Sequence, residues 1–273
     1  MDLRERVEKL RRYLVRRLAA PGALPMWWHV GRPNLGDDVN PTFFGRLAGR
    51  AVRFAVDRKR PHLLGAGSIL ERAAPASIVC GSGFLREPQS VVSATEFVAV
   101  RGELSLAACS RREGVLLGDP LVLIDAFAPP TVKRHRYGFM PHVTSVKHWR
   151  GLNARGRHVI HPGREPWRVI EEIASCEVVV SQSLHGLVVA DALGIPNVWI
   201  APSAGMAGGR FKFDDYFSTL DRPKEPVPEG RDVFDHPGRH EAAVGRYRFS
   251  KPDYRRALAD ACRRLAAQLA AAG

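Results

Sequence analysis

The segment Ser181-Gln182-Ser183-Leu184-His185-Gly186 stands where a strand-like run, Glu177 to Ser181, gives way to a helical one, Ser183 to Leu193. The first amides of a helix have no partner inside it, so such a junction attracts an anion. A histidine in that first turn feels the positive end of the helix dipole, which favours neutral imidazole and acid–base work. The competing reading is a polar histidine satisfied by neighbouring backbone. Arg101 ends another strand-like run, Phe97 to Val100, and its planar fork can hold a carboxylate or phosphate with two bonds. An ordinary surface arginine is the alternative there.

Two glycine-rich turns follow strand-like runs in the same way. They are Gly65-Ala66-Gly67-Ser68 and Gly81-Ser82-Gly83, and both allow close approach of backbone to a ligand. Neither has the third glycine of a dinucleotide fingerprint, and the chain has no GxxxxGK[ST] loop, which argues against a P-loop nucleotide hydrolase. Gly208 to Tyr216 offers Arg210 and Lys212 beside Phe211 and Phe213, for phosphate contact or for anchoring aromatics in a core. His158 and His161 sit three apart on a strand-like run and face opposite sides, so no metal site is expected from them.

These residues need elements to hold them. Short apolar runs at Met26–Val30, His62–Leu64, Ser77–Cys80, Phe97–Val100 and Val115–Leu117 alternate with turns and helical stretches. Asp37 or Asp38 can cap a helix carrying Val39, Phe43, Phe44 and Leu47. The alternation resumes beyond Ala126–Lys133, a linker by its paired prolines, with strands at Arg136–Met140 and His158–His161. Glu177 to Ala201 is the best βαβ unit, with Gly194 and Pro196 closing its helix. The pattern predicts an α/β chain with two open parallel sheets, residues 1–128 and 129–273, and a ligand cleft at the carboxyl ends of the strands. Residues 221–245 read as an exposed excursion and Pro252–Ala272 as a final amphipathic helix.

With 273 residues, 45% hydrophobic and 25% charged, the chain can bury a sizeable core. Its net charge of +13 favours anionic partners without choosing among them, and the dispersed basic residues form no nucleic-acid module. Met1–Leu18 spaces Leu3, Val7, Leu10, Leu14 and Leu18 along a helical stripe ringed by basic residues. Such a helix packs on the body or lies against an anionic membrane surface. It lacks the apolar region of a secretory signal, and the four cysteines at 80, 109, 176 and 262 have no paired spacing, so a reducing cytoplasm is expected.

Five pieces in order resemble the polysaccharide pyruvyltransferase family, and among its members the exopolysaccharide ketal-pyruvate transferases. They are Asn34-Leu35-Gly36-Asp37-Asp38, Val100-Arg101-Gly102-Glu103-Leu104-Ser105, Gly118-Asp119-Pro120, Ser181-Gln182-Ser183-Leu184-His185-Gly186 with Gly194-Ile195-Pro196, and Arg210 to Tyr216. The resemblance spans roughly residues 26 to 220. It implies two Rossmann-like domains facing across a cleft, as in GT-B glycosyltransferases. It also implies phosphoenolpyruvate as donor and a saccharide acceptor. Side-chain cations can neutralise the phosphate, so no metal or further cofactor is expected, and a basic N-terminal helix at the membrane would face a lipid-linked acceptor. Arg101 and His185 match the family's functionally critical arginine and histidine. On that basis His185 is expected as acid–base, and Arg101, Arg210 and Lys212 as grips on the donor anions. Ser183, Gly67 and Gly83 would offer backbone amides to the phosphate, and Asn34, Gly36 and Asp37 would contact donor or acceptor. A nucleotide-sugar glycosyltransferase and a silent saccharide-binding or scaffold protein are the alternatives.

Overall fold

The structure, a computed structural model, describes residues 22–271. The basic helix expected over Met1–Leu18 lies outside the described residues. The first sheet contains β1 (Leu24–Trp27), β2 (Val52–Phe54), β3 (His62–Leu64), β4 (Ser77–Cys80), β5 (Glu96–Val100) and β6 (Leu116–Leu117). Its order is β2-β1-β3-β4-β5-β6, and all five neighbouring pairs are parallel. The second holds β7 (His135–Met140), β8 (His158–Val159), β9 (Cys176–Ser181) and β10 (Asn197–Trp199), all parallel, in the order β10-β9-β7-β8. Two parallel sheets in an α/β chain agree with the sequence pattern.

Helices are α1 (Leu35–Asp38), α2 (Asn40–Ala48), α3 (Glu103–Leu106), α4 (Val146–Ala154), α5 (Pro166–Ala174), α6 (Leu184–Ala192), α7 (Phe211–Phe217), α8 (Arg231–Asp235) and α9 (Lys251–Ala271). Strands β3 and β4 are buried at every position, as expected when helices cover both faces of a parallel sheet. Strand β2 was not expected. Its three residues are only half-buried and carry Arg53, so an edge strand of this kind has little apolar signal.

Helix α6 is apolar on all sides and nearly all buried, so it lies in the core rather than on the surface. It packs between α5 and the 3-10 turn Pro120–Ala126. A Schellman motif ends it. Gly194 has φ +68°, Ile195 N–H donates to Ala190 O at 2.8 Å, and Gly194 N–H donates to Asp191 O at 3.1 Å.

Tyr254, Leu258, Ala261, Cys262 and Leu265 form the buried stripe of α9. That helix returns to the first sheet, touching β1 and β5, and the Tyr254 hydroxyl donates to Gly118 O at 2.5 Å. The main core therefore runs without a break from Met26 and Phe43, through Leu187 and Val188 of α6, to Leu258. All four cysteines are buried and unbridged, and burial pushes the Cys109 and Cys262 thiols up to about 12.

Candidate active site

The carboxyl ends of strands from both sheets meet at a cleft of about 250 Å³, into which Asn34, Asp37, Ser68, Ser183, His185 and Lys212 project. Sequence reasoning placed five of these six together.

The turn after β1 is built around asparagines. Asn34, rather than Asp37 or Asp38, caps α1. Its Oδ1 accepts from Asp37 N–H at 3.1 Å, and its Nδ2 donates to Asp37 Oδ2 at 2.6 Å. Asn40, fully buried, donates to Gly36 O and Ala66 O and accepts from Ala66 N–H at 2.8 Å. This ties the turn to the first glycine-rich loop. The Asp37 carboxyl thus opens on the cleft while packed about by protein. That burial raises its pKa, opposed by the Asn34 hydrogen bond and by His29 and His185.

His185 occupies the first turn of α6. The Ser183 carbonyl accepts from Gly186 and Leu187 N–H, and Ser183, Leu184 and His185 form the rim of the cleft at the helix's positive end. The imidazole lies directly over Gly36, where an added Cβ would stand 2.0 Å from its Cε1. Gly36 therefore makes room for the catalytic candidate rather than for a ligand. On the far side, His185 Nε2 is 3.6 Å from Asp119 Oδ2.

Lys212, on α7, is 6% exposed, and its Nζ is 3.4 Å from His142 Nε2. Burial, and then the charge of Arg101, lowers Lys212 to about 8, against the pull of Asp37. His142 is held down at about 3 by burial, then by Lys212 and Arg32, so it is neutral at physiological pH.

Arg101 is not in the cleft wall. It is fully buried one layer behind, where Nε pairs with Asp215 Oδ2 at 3.0 Å and Nη1 donates to Ser68 Oγ at 2.8 Å. Its Nη2 donates to Phe84 O at 2.5 Å. The guanidinium meant for a donor anion instead fixes a cleft-lining serine. Gly83 leaves space for it, since an added Cβ would sit 2.5 Å from Arg101 Cζ. Gly67 has φ +114°, its carbonyl accepts from Gly83 N–H, and its Cβ position would lie 3.0 Å from Asp37 Oδ1. Both glycines thus serve close packing within the protein, and Ser68 and Ile69 form the adjacent wall. Arg210 points to solvent, 3.3 Å from Asp214 and 5.0 Å above the Trp199 ring.

His29 and His142, which line the cleft, escaped the sequence reading, and Asp119 entered only as part of a motif. Each stands two residues beyond a strand, the position that the carboxyl-end rule singles out. His158 stacks on His135 at 3.7 Å, and no group of three His, Cys, Asp or Glu among the described residues is placed to hold a metal.

Residues 42–203, more than half of the chain and including Arg101, Asp119 and His185, match the model of the polysaccharide pyruvyl transferase family. The chain belongs to that family. It is 30% identical over 213 residues to the succinoglycan biosynthesis protein ExoV of Rhizobium meliloti strain 1021, covering 72% of this chain and 64% of ExoV. The uncharacterized protein L143 of Acanthamoeba polyphaga mimivirus is 26% identical over 173 residues, 59% of this chain and 60% of its own. The chain thus spans less than two thirds of either relative. No solved structure matches it. The family match ends before Lys212 and begins after Asn34 to Asp37, so the cleft adds groups that the matched segment alone does not contain.

Proposed function

We propose that this chain transfers a pyruvyl group from phosphoenolpyruvate to hydroxyls of a saccharide during exopolysaccharide assembly. Family membership supplies the reaction class, and the name of ExoV the setting of exopolysaccharide biosynthesis. The observation that carries the reading is the company of His185: a helix N-terminus, a buried lysine and a carboxyl group in one small cleft. Phosphoenolpyruvate presents a carboxylate and a phosphate, which suit Lys212, the Ser68 and Ser183 hydroxyls and the α6 amides. Arg101 acts through Ser68.

In ketal formation a proton adds to C3 and the first hydroxyl oxygen bonds to C2. The second hydroxyl oxygen then bonds to C2 as the C2–O bond to phosphate breaks. Two hydroxyl protons are lost, one proton is gained at C3 and one leaves on inorganic phosphate. His185 is the group that shuttles them. No further cofactor enters. The two sheets act as GT-B-like halves, residues 1–128 and 129–273, with α9 returning to the first. The reaction runs in the cytoplasm, and the basic segment Met1–Leu18 holds the enzyme near a lipid-linked acceptor.

The deciding measurement is phosphate release from phosphoenolpyruvate with and without oligosaccharide and lipid-linked acceptors. Acceptor-dependent release is expected. Thermal stabilisation by UDP or GDP but not by phosphoenolpyruvate would instead establish a nucleotide-sugar glycosyltransferase.

Lys212 gives this reading a pH signature. Donor affinity should weaken about tenfold per pH unit above about 8, where the ammonium is lost. Lys212→Met should weaken donor binding about 10- to 100-fold, the loss of a charge-assisted bond, and abolish that dependence. Folding responds with the opposite sign. The unfolded chain holds the Lys212 proton up to 10.5 and the folded one only to about 8, so stability rises with pH across that window. Isothermal titration and thermal melts from pH 7 to 10 check both.

A further inference from the structure

We infer that Asp119 is the positioning residue for His185, accepting from Nε2–H and so leaving Nδ1 as the nitrogen that moves protons in the cleft. Asp119 is fully buried just beyond β6. One of its oxygens is committed, because Oδ1 caps the 3-10 turn Pro120–Ala126 by accepting from Leu121 N–H at 2.9 Å. The other, Oδ2, is sealed from solvent and accepts no hydrogen bond from the described residues. His185 Nε2 is in the same condition, and the two atoms face each other at 3.6 Å.

A buried carboxylate oxygen and a buried ring nitrogen without partners are both costly, and a movement of less than about 1 Å would join them in a hydrogen bond. Catalytic hydrogen bonds are commonly this long before substrate tightens the site. The nearby hydroxyl of Tyr254 is already given to Gly118 O, so it does not compete for Oδ2.

The arrangement fixes the tautomer. The hydrogen bond made by one imidazole nitrogen decides what the other carries. Nε2 is enclosed, yet His185 keeps 12% of its side chain exposed where it lines the cleft. Nδ1 is therefore the nitrogen left for substrate, with Asp37 as the other acidic group acting on the ring from α1. The catalytic consequence rests on the pyruvyl-transfer reading. Nδ1 takes the proton of the first hydroxyl as its oxygen bonds to C2 and gives it to C3. It then takes the proton of the second hydroxyl and passes it to the phosphate oxygen as the C2–O bond breaks. Asp119 stabilises the imidazolium between these events without itself being protonated.

The test starts on the substrate-free full chain, so it stands apart from the identity of the substrates. Protein labelled with 15N in its histidine rings is examined by long-range 1H–15N correlation, with the His185 signals identified by their loss in His185→Gln. Neutral His185 is expected to carry its proton on Nε2. In Asp119→Asn the carboxamide retains the cap on Leu121 but can donate to Nε2, so the proton should move to Nδ1. Asp119→Ser, which also retains a cap, should leave the two tautomers mixed. Turnover of Asp119→Asn should fall about 10- to 100-fold with the donor KM nearly unchanged. A wild-type ring protonated on Nδ1, or a tautomer indifferent to both substitutions, would overturn the assignment. Absence of phosphate release with every acceptor would count against the proposed reaction and leave the tautomer result standing.

Discussion

Replacing His185 with glutamine is expected to lower acceptor-dependent phosphate release by about 10²- to 10⁴-fold, the usual worth of a positioned acid–base group. The melting temperature should hardly move. Glutamine fills a similar volume, and its amide can still donate toward the enclosed Asp119 oxygen, so no buried carboxylate is stranded. What it cannot do is take up a proton near neutral pH. Donor binding should survive, because Lys212, Ser68 and the first amides of α6 stay in place. Gly36→Ala provides an independent arm. Its methyl group would stand 2.0 Å from His185 Cε1, so the ring must swing away from the cleft although its chemistry is intact. Both variants should bind phosphoenolpyruvate in a thermal-shift assay and fail to turn it over. Full turnover in His185→Gln would remove the histidine from the mechanism.

The contrast between His185 and the glycines shows where a sequence speaks and where it does not. The SLHG junction was legible because three local signals agree: a β-branched run ending at Ser181, a helical run after it, and Gly194 with Pro196 closing that run. Each acts over neighbouring residues. The reasons for Gly36 and Gly83 are contacts with His185 and Arg101, at separations no local pattern encodes. A glycine announces that something comes close without saying what. Reading both as ligand contacts was sound as local chemistry and wrong about the neighbour, which is a protein side chain in each case.

Arg210 and Lys212 make the same point with a signal that was available. Helix α7 was not assigned from sequence, so the two cations were treated alike. Helical spacing separates them. Phe213, Tyr216 and Phe217 mark the buried side, while Arg210 and Asp214, four apart, form an ion pair on the exposed side. Lys212 and Asp215, three apart, share the side that faces the first sheet. Arg101 was legible as a strand-end group, but its function depended on where a carboxylate 114 residues away would land.

That carboxylate carries the largest expected effect on stability. Asp215→Ala should lower the unfolding free energy by about 3–5 kcal/mol, the range for removing one partner of a buried ion pair. Both side chains are fully enclosed. Asp215 accepts from Arg101 Nε at 3.0 Å, from Ser105 N–H at 2.8 Å and from Ser105 Oγ at 2.6 Å, so its loss strands a charge and two donors together. Gly102 lies so close beneath α7 that a Cβ there would stand 1.7 Å from Asp215 O, so the helix backbone sits directly on the end of β5. Urea denaturation measures the loss. The double variant Arg101→Met/Asp215→Ala should lose less than the sum of the two single variants, because the stranded charge is gone. A loss below about 1 kcal/mol for Asp215→Ala would mean that the guanidinium finds solvent, contrary to its enclosure here. Activity should follow stability for a geometric reason. Asp215 fastens α7 to the end of β5, and one turn earlier on that helix is Lys212. The ion pair that staples the two halves of the chain is thus also what sets the depth of the ammonium in the cleft.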